Sequence, residues 1–558
     1  MARILMARIL LLSLLLMLCH LRLPAQFLVD DVAPCYDAAE SSYLLCVDEA
    51  AWDSHTWEAE VRLPHESPWK SLRIDGITAD GLFRFTDINS TKTYKLEATT
   101  ADGEVHATLQ FTFLPILQLR TLGHTVENDF VDAELYIQEG DGVYDELKIS
   151  VKHRGGTTNA KGRHKHNFKL KIIDDEGAKR NVSLLGLRKD NSWVLDAGQV
   201  DLFRLRNYVA AGIWQDFATR PYYADQEPNA RSATRGAVVE MFIDNRYEGI
   251  YHLCEPIDRK QMQLKKYDDD GTIHGCLWKA TSFGDATFWN VPSVYDNAAE
   301  KNDVWEVKYP ALEDLCPSDY TTLRDAIEFV ATASATKFSQ QVADYFDMPV
   351  MIDYYLFVNL TNAFDLCGKN VYWAVYDKTV HRRLTPAMWD IDCTMGQNYR
   401  DDPLRPDYVN PRYPLLVPNK IFHQLLQFNT DFFQQRMKER YAELRQGLFS
   451  TSSLQQRYAN AFDRLERSGA AAREEHRWSY DTDIAGLPLN LKQELDYITT
   501  WISERMDFLD SQWLPATNIA NIQSDASNHR PATTLTGLPV SPSYKGIVIE
   551  NGKKILRR

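Results

Sequence analysis

Residues 364–396 read FDLCGKNVYWAVYDKTVHRRLTPAMWDIDCTMG. Three carboxylates, Asp365, Asp390 and Asp392, stand there among large apolar side chains rather than on a solvated charge run. The runs VYWAVYD and RLTPAMWDID predict two strands, and a hairpin returns its second strand beside its first, which carries Asp390 or Asp392 back toward Asp365. Alternation along the second strand puts both of its aspartates on one face. Between Asp365 and Asn370 the spacing is D-x-x-x-x-N. Carboxylate and amide oxygens suit the tight octahedral shell of Mg2+. On spacing alone, a turn capped by Asp365 and ended by Asn370 accounts for the same residues.

Outward from this stretch, composition narrows the classes. The chain has 558 residues, 44% of them apolar and 25% charged, which is the composition of globular protein with room for several cores. A formal charge of -15 repels a phosphate backbone, and no basic stripe reverses it locally, so nucleic acid is excluded as a partner. Residues 1–25, MARILMARILLLSLLLMLCHLRLPA, have the arginine-bearing start, apolar run and small-residue end of a secretory signal peptide. The nearly unbroken apolar run is about half of the roughly 20 residues a spanning helix needs, and no later stretch is apolar enough to span. An extracytoplasmic address follows: periplasmic, secreted or cell-surface. Of the seven cysteines beyond residue 25, Cys35 and Cys46 flank a short segment and form the best disulfide candidate. No CxxC pair supports structural zinc.

The chain divides by texture. Residues 26–118 alternate in short segments such as TWEAEVRLP, GLFRFTDI and VHATLQFTFL between Asp, Gly and Asn turns, which predicts a small β-sandwich. Residues 119–514 mix strands and long helices without a βαβ rhythm, so the fold class is α+β. There AVVEMFIDNRYEGIYHLCEPI predicts two strands around Asp244-Asn245, and LFRLRNYVAAGIWQDFA a helix. Residues 515–558 form a linker, rich in Asn, Ser, Thr and Pro, and a β tail with a turn at Asn551-Gly552.

A basic segment stands in the middle region. In RHKHNFKLKI, Phe168, Leu170 and Ile172 alternate with Lys165, Asn167, Lys169 and Lys171, a strand with one apolar and one cationic face. A cationic face is commonly just solvated. The preceding HRGGTT argues for phosphate, since its glycines free the backbone to approach a ligand and Arg154 offers a fork of donors.

Taken in order, FLPILQLRT, VKHRGGTTNAKGRHKHNFKLKI, WVLDAGQVDLFRLRNYVA, VEMFIDNRYEGIYHLCEPIDRK, MIDYYLFVNLTNAFDLCGKNVYW and RLTPAMWDIDCTMG resemble the CotH family, the spore-coat protein H kinase-like proteins. The resemblance implies an atypical protein-kinase-like, two-lobed body that uses ATP and Mg2+ or Mn2+ to phosphorylate Ser or Thr of a secreted or surface protein. It implies Asp365 as the catalytic aspartate and Asn370 as its metal-binding companion. Asp390 and Asp392 match the family's W-D-x-D, similar in role to the metal-binding kinase aspartate downstream; either or both reach the metal. Asn362 matches an N-x-x-D element, with a turn amide as the equal alternative. Lys165 matches the family's basic position and is the first choice for the nucleotide lysine. Arg206 and Asn207 match its LRN. Glu255 matches its E-x-I-D, as a partner of the lysine or nucleotide, or as a surface ion pair.

The sequence departs from ordinary kinases in lacking a G-x-G-x-x-G loop and in placing Phe364 before the aspartate; His166 stands where the family commonly has a basic residue. The ending GIVIENGKKILRR resembles the sorting tails of secreted Bacteroidetes proteins. Two functions stay open: an exported protein kinase, and a non-catalytic surface or adhesion protein on a kinase-like scaffold, for which the scarcity of ATP outside a cytoplasm argues.

Overall fold

The computed structural model describes residues 25–140, 142–143, 146–159, 163–292, 295–398, 407–479, 489–515, 533–534, 545–550 and 553–557. The signal-peptide reading of residues 1–25 and the turn at Asn551-Gly552 therefore lie essentially outside the described residues. The strands flanking that turn, Gly546–Glu550 and Lys553–Arg557, pair antiparallel.

Near the N-terminus, a three-stranded and a six-stranded sheet pack face to face. Their alternating aromatics meet between the layers: Trp57 on Phe111 at 5.8 Å, and Phe85 on Phe111 and Tyr94 at 5.0 and 5.4 Å. Edge-to-face pairs of this kind add to the area they bury. Cys35 and Cys46 are both free thiols, which corrects the disulfide expectation. Cys35 pairs with Leu44 across the hairpin, not with Cys46, and its thiol donates to the Gln118 side chain at 3.9 Å. Burial pushes the Cys35 thiol up to about 12.

The chain then enters an eight-stranded sheet that closes on itself. Closure comes from Ile116–Arg120, which pairs antiparallel with Val131–Glu139 and parallel with Gly236–Ile243. Inward-facing Leu119, Leu135, Ile149, Val151, Phe168, Leu170, Trp193, Leu195, Met241 and Leu253 fill this barrel. The hairpin Gly236–Ile243 and Arg246–Cys254 forms as the sequence predicts, with Asp244 turning at φ 52.

A five-stranded sheet follows, built around Cys276–Ala280, Trp305–Tyr309, Val371–Val375 and Thr385–Met388. One face, with Trp278, Trp305 and Trp373, joins the large helical core. The other, with Leu277, Tyr309, Tyr372, Ala374 and Ala387, packs on the barrel's outer residues Val194 and Cys254. The helix Met348–Thr361 is buried on all sides, because its apolar residues run without a polar stripe. The helix Leu491–Trp513 closes the helical layer. The architecture is mixed α+β. Among the described residues, no helix is long and apolar enough to cross a membrane.

Candidate nucleotide and metal site

The buried helix Met348–Thr361 ends at Asn362, which turns left-handed at φ 54. Among the described residues its side chain caps nothing, and its buried Oδ1 has no hydrogen-bond partner. Asp365 follows in the short turn Phe364–Cys367. Its Oδ2 accepts from Lys369 Nζ at 2.7 Å and from Asn370 Nδ2 at 3.4 Å. The hairpin is present: Val371 faces Met388, and the Trp389 N–H donates to the Asn370 carbonyl at 3.1 Å. The second strand stops at Met388, however, and Asp390 takes φ 61. Asp390 and Asp392 thus lie in a loop beyond the strand, which corrects the reading that alternation aligns them. The Met395 N–H donates to the Thr361 carbonyl at 2.8 Å and ties this loop to the buried helix.

A further carboxylate joins from the barrel. Asp196 ends the strand Ser192–Asp196. Asn207 donates to Asp196 Oδ2 at 2.7 Å while its Oδ1 accepts from the Ile391 N–H at 3.1 Å, so one amide joins the barrel to the aspartate loop. Burial, then Asp390, Asp196 and Asp365, push the Asp392 carboxyl well above its ordinary range. Burial also raises Asp365, opposed by Lys369 and aided by Asp390. Carboxylates that repel one another this way gain from a divalent cation. Among the described residues, no three His, Cys, Asp or Glu are close enough to cage an ion by themselves. The oxygen donors of Asn370, Asp390 and Asp392, beside Asp365, fit the hard-ligand preference of Mg2+ or Mn2+.

Arg206 opens the helix Arg206–Phe217 and is fully buried. It donates to Asp201 at 2.7 Å, to the Thr394 carbonyl at 3.1 Å, to Gln397 at 3.2 Å and to Glu494. Its place in the site is thus to hold the aspartate loop from behind. Lys165 is also fully enclosed: Nζ donates to Glu474 and to the Ile250 carbonyl, both at 2.7 Å. Arg204 and the Ile250 N–H bind the same carboxylate, also at 2.7 Å. Gly249 is required beside it, since a Cβ there would lie 1.9 Å from Glu474 Oε2. As folded, Lys165 offers no surface to a ligand. Nor is Glu255 its partner or a surface residue; it is buried and accepts from the Arg188 N–H at 2.9 Å.

The other basic residues do line the cleft between barrel and small sheet. Arg154, Asn167 and Asp196 occupy facing register positions on three successive barrel strands, with Lys169 in the adjoining row. Lys279, Glu306 and Lys308 come from the opposite wall. Burial, then the neighbouring lysines and Arg154, lower Lys169 to about 8. Lys279 falls to about 8 by burial, opposed by Asp390. The sequence reading missed Asp196, Lys279, Lys308 and Lys369. The first two had a signal, a lone charge in an otherwise apolar strand: SWVLD and CLWKA.

Residues 151–509 match the protein-family model described as CotH kinase protein. No curated protein matches the chain.

Proposed function

The chain belongs to the CotH kinase family, and from that premise we propose that it is an exported protein kinase that transfers the γ-phosphate of ATP to Ser or Thr of a secreted or surface protein. The observation that carries the reading is the gathering of Asp365, Asn370, Asp390 and Asp392 at one end of a cleft whose walls carry Arg154, Lys169 and Lys279. Barrel and small sheet would act as the two lobes around the nucleotide. Asp365 accepts the proton of the acceptor hydroxyl as its oxygen bonds to the γ-phosphorus, and the bond from that phosphorus to the β-phosphate oxygen breaks. Asn370, Asp390 and Asp392 would hold Mg2+ or Mn2+, which supplies charge to the phosphate oxygens. Asn207 and Arg206 keep the aspartate loop in register with the barrel.

Asp365→Asn tests the assignment, because the amide keeps the shape and cannot take the proton. With labelled ATP, Mn2+ and secreted-protein extract, wild type labels acceptor protein and the variant does not, while both bind ATP. Equal labelling by the two would remove Asp365 from the mechanism. Tight nucleotide binding with no labelling by either would leave the non-catalytic binding reading.

A further inference from the structure

Lys279 stands on the cleft face of the strand Cys276–Ala280, in register with Glu306 on one side and Tyr372 on the other. Its Nζ lies 5.7 Å from the centre of the Tyr372 ring. Tyr372 meets Trp389 at 6.4 Å, and the Arg154 guanidinium lies over Trp389 at 5.1 Å. Two cations from opposite walls are thus joined through two aromatic rings. Lys169 adds a third, one row from Arg154 on the same barrel face. Among the described residues, neither Lys169 nor Lys279 has a carboxylate within ion-pair distance, and Arg154 has none either. Lys308 is different, being paired to Glu306. Half-buried cations gathered with no carboxylate at ion-pair distance, Lys279 offset only by the more distant Asp390 and Glu306, repel one another and are stabilised by an anion that threads between them.

We infer that Lys279, Arg154 and Lys169 form a two-walled clamp for the phosphate chain of the nucleotide, and that Lys279 takes the role expected of Lys165. The inference rests on the kinase reading and deepens it, since it names which cations of that cleft meet the ligand. Lys165 is left as a buried tie between barrel and helix. The clamp also explains why the cleft needs no glycine-rich phosphate loop: side chains from two sheets supply the donors.

The probe is inorganic tripolyphosphate with EDTA present, which carries the chain's charge without base, sugar or metal. Thermal unfolding of the full chain is followed as it is titrated into wild type, Lys279→Gln, Lys169→Gln and Lys171→Gln. Lys171 lies on the same barrel strand with its Nζ over Phe130 at 4.8 Å, outside the clamp. Wild type should be stabilised, and Lys279→Gln and Lys169→Gln should each lose about tenfold or more in apparent affinity, the scale of one charge-assisted contact. Lys171→Gln should titrate as wild type does. The clamp is refuted if Lys279→Gln responds like wild type, if all three variants lose affinity equally, or if wild type does not respond. The kinase reading can fail separately: tripolyphosphate binding that needs Lys279, with no transfer from ATP, upholds the clamp and sinks the transferase.

Discussion

Lys165 is fully buried and Lys279 half-buried, both are lowered to about 8, and in both desolvation is the leading cause. Yet Lys165 has a carboxylate and a carbonyl at 2.7 Å, under Tyr251 and Trp478, whereas Lys279 has an aromatic ring and no ion-pair partner among the described residues. The lowered values do not distinguish them; the partners do. A buried charge held by a carboxylate and a carbonyl inside the protein is a structural tie. A buried charge left without a partner is the one that a ligand completes.

The largest effect expected from this contrast is at Glu474. Glu474→Gln leaves Lys165 and Arg204 without their anion and should cost about 3–5 kcal/mol in urea unfolding. A loss below about 1 kcal/mol would mean that the pair is not the tie described. At Lys279 the same logic reverses. Lys279→Met removes a charge with no ion-pair partner among the described residues, so stability should stay level or rise by about 1 kcal/mol, even as nucleotide affinity falls. Parallel destabilisation in the two variants would break the comparison.

A smaller effect separates the lysines by pH. Folded Lys279 gives up its proton near 8, while the unfolded lysine holds it to 10.5. Within that window the unfolded state binds more protons, so wild-type stability rises with pH. The advantage of Lys279→Met should shrink across the same window, and a constant difference would contradict the lowered value. The smallest effect concerns His274, whose Nε2 and Nδ1 meet Asp268 at 2.8 Å and Asp377 at 3.1 Å. Those hydrogen bonds raise its value, Asp268 first. Its ionic contribution is complete below the ordinary 6.5 and fades as pH passes the raised value. His274→Gln should therefore be more destabilising in acid than at about pH 8, by thermal unfolding at the two pH values. A pH-independent deficit would assign His274 a packing role.

Local pattern carried much of this fold. The hairpin after Asn370, the strands around Asp244 and the helix from Arg206 all follow from period and turn chemistry in short windows. Pairing at long range did not. Glu474 lies 309 residues from Lys165, so alternation in RHKHNFKLKI could mark a cationic side chain but not the helix that would cover it. The loop at Asp390 escaped for another reason: nothing in WDID shows the left-handed residue that ends the strand. Asp196 looked like the end of an apolar strand until Asn207 joined it to that loop. The disulfide expectation used spacing in the chain, where the hairpin register decides.

If the carboxylate end and the cationic walls serve one ligand, metal and nucleotide must bind with mutual reinforcement. Calorimetric titration of ATP into the full chain, with and without Mn2+, measures this directly. Mn2+ should tighten ATP binding in wild type, and Asp390→Asn or Asp392→Asn should remove most of that gain while leaving the metal-free affinity near its wild-type value. Identical ATP affinity with and without Mn2+, unmoved by either substitution, would contradict the account.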